Sequence, residues 1–214
     1  GTPVAGSAGG DIIMNAAGGA TIESELGNIT LQAPDNIRLR LVRTNTGGAA
    51  SATIIEITAD SDSSGNGEVI DNRNGEVLPN IRGRNAVIRA ATGIGSGAAA
   101  ADIETRLTTL DASNTGTTGD ININEVAAGG DIDVNELSQT NAGGSGNISL
   151  FTEDGDITLV AAQSGVVVLG SGTVTLDANT TAPTDEDTAP EGSVNINDGI
   201  STAGGDININ ADHD

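Results

Sequence analysis

The chain has 214 residues, a formal net charge of −22 and a hydrophobic fraction of 36%. Phosphates of nucleic acids and anionic membrane surfaces repel such an acidic chain, so neither is an expected partner. No run of about 18 apolar residues is present, which predicts no membrane insertion. The absence of cysteine excludes disulfides, thiolate metal sites and cysteine catalysis.

A short phrase recurs along the chain: a small residue, then Asp or Asn, then an aliphatic–polar–aliphatic triplet. Alternation after a turn predicts a very short strand with one buried face. Such a unit cannot bury its apolar face alone, so it must stack on its neighbours. The phrase starts at Gly10, Gly27, Asp35, Gly119, Gly130, Gly146, Gly155 and Gly205, with looser copies at Gly172 and Gly192. Further strands are predicted at 53–58, 68–70, 86–89, 103–107 and 166–169.

The repetition predicts one all-β domain over residues 1–214, a parallel β-helix (β-solenoid). The irregular spacing of the phrases argues against short fixed periods and favours coils of two or three strands, with roughly 20–35 residues per coil. The first aliphatic residue of each triplet is expected to point into the core: Ile12, Ile29, Ile37, Ile121, Ile132, Ile148, Ile157, Val174 and Ile207.

The turns have a consistent chemistry. Glycine supplies positive φ, and Asp or Asn is expected to bond its own backbone two residues further on. Two stretches interrupt the pattern and are predicted to be exposed loops, at 60–67 and 179–192. The second contains two prolines, which cannot donate to a sheet ladder, and four acidic residues.

The phrases at 27–31, 146–150 and 155–159 (GNITL, GNISL and GDITL) resemble the repeats of filamentous haemagglutinin-type exoproteins and giant bacterial surface adhesins. The resemblance implies a right-handed parallel β-helix exported to the cell surface, with a role in adhesion, biofilm or filament formation. It implies no catalytic residue.

Calcium is the first cofactor to consider. Gly-Gly-Asp turns are similar to those of calcium-binding nonapeptide repeats, but here Ile follows the Asp directly and interrupts the pattern. Asp as a turn former is the simpler interpretation, so we expect no cofactor. The remaining calcium candidates lie in the two loops: Asp60, Asp62, Asp185, Glu186 and Asp187.

Catalytic signals are weak. The one histidine, His213, is next to the last residue, and Phe151 is the one aromatic residue, whereas clefts that process glycans usually offer aromatic platforms. We therefore expect a protein that is not an enzyme. A glycan-binding or glycan-cleaving β-helix remains the alternative, because carboxylate and arginine pairs of the kind such enzymes need are present.

All eight basic residues are arginines, and all lie within residues 1–106, which carry 12 acids and a net charge of −4; residues 107–214 carry 18 acids and no base. The arginines can pair within the chain, contact the acidic half of another copy, or bind an anionic glycan. Arg38 and Arg40 are expected on one outer face. The candidates for partner contact are Arg38, Arg40, Arg82, Arg84 and Arg89.

These features predict an extracellular, non-catalytic structural or adhesive protein at the bacterial cell surface. A stack of coils ends in unpaired strand edges, and the sequence shows no obvious capping unit. We therefore expect copies to associate head to tail into a fibre, sheath or filament. The alternative is that further repeats of the same polypeptide cover the ends.

Overall fold

The computed structural model describes residues 9–15, 17–44, 53–73, 78–95, 102–126, 130–178 and 192–211. These residues form 20 β-strands and no helix. The strands are β1 (Ile12–Ile13), β2 (Ile22–Ser24), β3 (Ile29–Ala33), β4 (Ile37–Leu39), β5 (Val42–Thr44), β6 (Ile54–Ala59), β7 (Val69–Asp71), β8 (Ile81–Arg82), β9 (Asn85–Ala90), β10 (Ile103–Arg106), β11 (Thr109–Asn114), β12 (Ile121–Glu125), β13 (Ile132–Gln139), β14 (Ile148–Thr152), β15 (Ile157–Leu159), β16 (Gly165–Val168), β17 (Val174–Ala178), β18 (Val194–Ile196), β19 (Ile200–Thr202) and β20 (Ile207–Ala211).

The strands build three parallel sheets in which neighbours come from successive coils. The first sheet has the order β1-β4-β7, and the second has the order β2-β5-β8-β10-β12-β14-β17-β20. The third runs β18-β15-β13-β11-β9-β6-β3, with β16 and β19 beside it. Ile94 bridges Val69 to Ile121, so the first sheet continues into β12. The chain is therefore a parallel β-solenoid, as the repeated phrase predicts.

The number of residues in one coil varies along the solenoid. Asp11 and Asn36 are 25 residues apart and Asp177 and Asn210 are 33 apart, each pair one coil from the other. Asp156 and Ser193 are 37 residues apart, because the acidic 179–192 insertion lies between them. In the register of the sheets, a coil takes from 20 residues (Ile22 to Val42) to 39 residues (Val42 to Ile81), so the predicted 20–35 residues per coil is exceeded both there and at this insertion.

The core is formed by columns of aliphatic side chains that stack from coil to coil. Ile37, Ile121 and Ile148 are fully buried, as are Ile132, Ile157 and Val174, whereas Ile29 is 6% exposed. Ile12 is only partly buried, because no described strand precedes β1 in its sheet. The prediction was wrong for Ile207, which is 44% exposed because no described strand covers β20.

Where a next coil is described, the Asp or Asn of the phrase accepts a hydrogen bond from that coil and not from its own turn, which corrects the expected local hydrogen bond. Oδ1 of Asp120 accepts the backbone N–H of Asn147 at 2.7 Å, and Oδ1 of Asn147 accepts that of Thr173 at 2.9 Å. Asp131 and Asp156 form the same kind of ladder on the third sheet. The phrase therefore requires an acceptor at this position in order to satisfy the first backbone donor of the next coil.

The glycine before this acceptor is required by close approach more than by backbone conformation. A Cβ atom on Gly172 would collide with the carbonyl oxygen of Gly146, and one on Gly205 would collide with that of Gly172. Gly119 has a positive φ of 91°, but these three later glycines do not. Stacked glycines thus allow successive coils to pack backbone against backbone at this corner.

The connecting segments follow the sequence pattern where they are described. All five additional strands predicted between the phrases are present, as β6, β7, β9, β10 and β16. Residues 60–67 lie between β6 and β7, and 61–66 are exposed. Most of the second predicted loop, 179–191, lies outside the described residues, as do Asp185, Glu186, Asp187 and His213.

Among the described residues, no helix is long and apolar enough to cross a membrane.

Candidate functional site

The five arginines predicted to contact a partner do not form one cluster. Arg38 is on β4 in the first sheet, opposite Ile13 and Ile70. Arg82 is on β8 in the second sheet and Arg89 is on β9 in the third. Arg40 follows β4 and Arg84 follows β8. The five candidates are therefore spread over the three sheets.

Three arginines do stack, on the second sheet. Arg43 lies directly opposite Arg82, and Arg82 lies directly opposite Arg106. The residue before each of them, Val42, Ile81 and Thr105, is fully buried, so the arginines occupy the outward positions. Adjacent parallel strands are about 4.8 Å apart, which sets the backbone spacing of this series. We call Arg43, Arg82 and Arg106 the arginine column.

The charges of the arginine column are balanced at one end only. Arg43 forms an ion pair of 2.7 Å with Glu23, its neighbour on β2. In the part of the chain that the structure describes, neither Arg82 nor Arg106 forms an ion pair. After Arg106, the residue that follows β12 is Val126, which is buried, and the residue that follows β14 is Glu153. Two unpaired guanidinium groups therefore lie side by side in an otherwise acidic protein.

Beside the column is a buried polar network at the junction of the first and second sheets. Asp71 Oδ1 accepts Asn80 Nδ2 at 2.6 Å and the backbone N–H of Arg73 at 2.8 Å, while Asn80 Oδ1 accepts the N–H of Glu104 at 2.9 Å. Glu104 is only 6% exposed, and its Oε2 has no hydrogen-bond partner. Burial raises the pKa of Glu104 to about 8, and the charges of Asp71 and Asp102 add to this effect.

A second buried acid, Glu125, points into the core at the end of β12. It is 1% exposed and accepts hydrogen bonds from Thr105 Oγ1 at 2.8 Å and from the backbone N–H of Leu107 at 3.1 Å. Burial raises the pKa of Glu125 to about 7, although these hydrogen bonds oppose the rise. Through these hydrogen bonds Glu125 connects β12 to the corner between β10 and β11, which is a structural role.

The outer face of the third sheet carries a separate charged group. Arg89 Nη1 contacts Asp111 Oδ1 at 3.1 Å and Ser113 Oγ at 3.0 Å. Asp111 lies opposite Glu136, directly after an irregularity in the register between β11 and β13. Burial raises the pKa of Asp111, and the Arg89 guanidinium opposes that rise. Ser138 donates to Glu136 at 2.6 Å, so the carboxylates are held in place.

Asp60 and Asp62, the calcium candidates of the first loop, accept hydrogen bonds from other residues of the same loop. Asp60 Oδ1 accepts Ser64 Oγ at 2.9 Å and the N–H of Gly65 at 3.0 Å, and Asp62 Oδ1 accepts the N–H of Ser64 at 3.2 Å. Asp60 has a φ of 65°, as a tight turn requires. Across the described residues, no group of three or more Asp, Glu or His side chains is placed to hold a metal ion.

Sequence reasoning missed Arg43 and Arg106 as members of the arginine column, because their alignment depends on coil lengths that cannot be read from the repeats. It also missed Glu104 and Glu125. For Glu125 a signal existed: strict alternation from Ile121 and Ile123 places residue 125 on the inner face. Comparison with models of protein families, with curated proteins and with solved structures finds no match to this chain.

Proposed function

We propose that the chain is a non-catalytic structural or adhesive repeat protein of the bacterial cell surface, whose copies associate end to end. The main support for the proposal is the exposure of apolar side chains on the last described coil. Ile207 and Ile209 of β20 are 44% and 41% exposed, and Ile196 of β18 is 49% exposed. The residues beneath Ile207 and Ile209 in the same columns, Val174 and Leu176, are fully buried.

The hydrogen bonding of this end supports the same proposal. On the second sheet, Asp120 and Asn147 each accept a hydrogen bond from a backbone N–H of the following coil. Asp206 occupies the equivalent position before β20, and no described coil supplies its donor. At the opposite end, Ile12 and Ile22 are only partly buried. Both described ends therefore carry incompletely covered apolar side chains, and the last described coil also carries an acceptor without a described donor.

Charge supports a fixed polarity. The arginines lie within residues 1–106, while residues 107–214 contain 18 acids and no base. Head-to-tail contact brings the less acidic end of one copy to the more acidic end of the next, which favours encounter in this direction more than it adds affinity. A heterologous contact whose rotation does not close produces an open fibre. The surface location rests on the resemblance of the repeats.

Sedimentation velocity of the 214-residue chain over a range of concentrations tests the association. We expect polymers that grow with concentration, and an I207D/I209D variant that stays monomeric because charges replace the apolar contact. The matched control is Leu169→Asp, which changes a side chain of similar exposure (46%) that is followed by a further coil. Stable monomers of the unmodified chain at high concentration would refute self-association and favour further coils of the same polypeptide as the natural cover.

The second candidate function is cleavage of an acidic glycan, and one observation favours it. Asp111 and Glu136 face outward on adjacent strands at a register irregularity, and such irregularities often occur next to active sites. Strands about 4.8 Å apart bring two carboxyl groups near the separation of about 5–5.5 Å found in retaining glycosidases. Incubation with acidic polysaccharides tests this function. Chain shortening that Asp111→Asn abolishes would replace the non-catalytic proposal.

A further inference from the structure

We propose that the arginine column binds a linear, carboxylate-bearing polysaccharide of the polyuronate class, which lies along the solenoid axis. This inference gives the adhesive role a ligand class, but it does not depend on end-to-end association. The column lies on the side of the solenoid, on β5, β8 and β10, whereas association uses the coil ends.

The first argument is energetic. Like charges directly opposite one another on adjacent strands destabilise a sheet. Arg82 has an arginine on each side, Arg43 and Arg106, and the one described ion pair of the column is that of Arg43 with Glu23. A chain with 30 acidic residues offers many ways to neutralise such a series, yet the described residues leave Arg82 and Arg106 unpaired. An external anion compensates this repulsion.

The second argument concerns the type of anion. The planar guanidinium group has a fork of donors that matches a carboxylate in a bidentate manner. The column repeats at about 4.8 Å, the spacing of adjacent strands. This is close to the length of one sugar residue, and a polyuronate carries one carboxylate on each sugar. Successive carboxylates of one extended chain can therefore reach adjacent arginines, and alternate carboxylates can reach Arg43 and Arg106, without bending the polymer.

The third argument concerns charge density. The net charge of −22 repels densely charged polymers such as nucleic acids and highly sulfated glycans. A polyuronate has fewer charges per unit length and adds neutral hydroxyl groups that can bond the strand surface. Arg84, which follows β8 and is exposed, can extend the contact at one side. No aromatic side chain belongs to the column, so binding should be mainly ionic and weaken with salt.

The test is binding of immobilised polygalacturonate by the full chain, with neutral dextran as the reference surface. The same measurement on the I207D/I209D variant separates glycan binding from polymer formation. We expect binding to polygalacturonate and none to dextran, with an R82Q/R106Q variant weakened about tenfold or more. The matched control is R38Q, compared with R82Q alone, because it removes one guanidinium charge from the first sheet, outside the column, and should bind normally.

Several results would overturn the proposal. One is no binding by either the full chain or the I207D/I209D variant, and another is an equal loss of binding in R82Q and R38Q. Equal or tighter binding of double-stranded DNA or heparin would contradict the carboxylate assignment. Binding that appears only after Asp185, Glu186 and Asp187 are replaced by Asn, Gln and Asn would show that the chain's own acidic segment, and not a glycan, is the natural partner of the column.

Discussion

The same five residues, Gly-Asp-Ile-Asn-Ile, occur at 119–123 and at 205–209, and their environments are opposite. Ile121 and Ile123 are fully buried on β12, whereas Ile207 and Ile209 on β20 are nearly half exposed. Asp120 accepts two hydrogen bonds from Asn147 in the next coil, while Asp206 accepts none from the described residues. The phrase thus determines that a strand forms, and the next coil determines whether its isoleucines are buried and its Asp is hydrogen-bonded.

The largest difference between the two copies should appear when an isoleucine of each copy is truncated to alanine. Ile123→Ala should lower the free energy of unfolding by about 3 kcal/mol, because the side chain is packed on both sides and leaves a cavity. Ile209→Ala should lower it by less than about 1 kcal/mol in the monomer, since much of this side chain is already in water. Urea unfolding of the two variants measures the difference, and equal losses would contradict the comparison.

Burial that stabilises an isoleucine penalises a carboxylate in the same coils. The pKa of Glu125 rises from 4.5 to about 7, so the folded state holds its proton more tightly than the unfolded state does. The contribution of Glu125 to the free energy of unfolding should therefore be largest below pH 4.5, decrease as the pH rises to about 7, and stay constant above it. A shift of this size corresponds to about 3 kcal/mol. Glu104, with a pKa of about 8, extends the decrease to higher pH.

Urea unfolding at several pH values, with Glu125→Gln, measures the contribution of Glu125. The variant should show a smaller decrease between pH 4.5 and 7, because a neutral amide replaces the titrating acid. Glu56→Gln, which changes an exposed acid on the outer face of β6, is the matched control and should keep the full decrease. A decrease of the same size in both variants would mean that general charge repulsion causes it.

The smallest effect should come from the turn acceptors. Asp120→Ala removes the acceptor for the backbone N–H of Asn147 and should cost about 1–2 kcal/mol of unfolding free energy. Asp206→Ala should cost close to nothing in the monomer, because no described donor faces it. The same unfolding experiment compares the pair, and a cost for Asp206→Ala as large as that for Asp120→Ala would contradict the role assigned to the next coil.

Much of the fold could be predicted because alternation has a strict period of two. That period placed Ile121, Ile148 and Val174 in the core without knowledge of any long-range contact. The partners across coils could not be predicted, because the coil length varies from 20 to 39 residues and each change alters which residues lie opposite one another. Arg82 was therefore recognised as a candidate, but its neighbours Arg43 and Arg106 were not.

The predicted Asx turns were wrong for a related reason. Asp and Asn at a turn have two kinds of donor within reach, one in their own turn and one in the adjacent coil. In a parallel solenoid the backbone N–H of the next coil lies directly above Asp131 and Asp156, and it has no other partner. The local sequence reveals only the donor in the same turn. The donor in the adjacent coil can be identified only when the stacking of the coils is known.

Hydrogen exchange measured along the chain at increasing protein concentration tests the end-to-end association most directly. If a second copy covers β20, the amides of Ile207–Ala211 should become more protected as concentration rises, while those of Ile121–Glu125 stay protected throughout. Protection of β20 that does not change with concentration, in samples that extend well above the range where polymers are expected, would contradict the account.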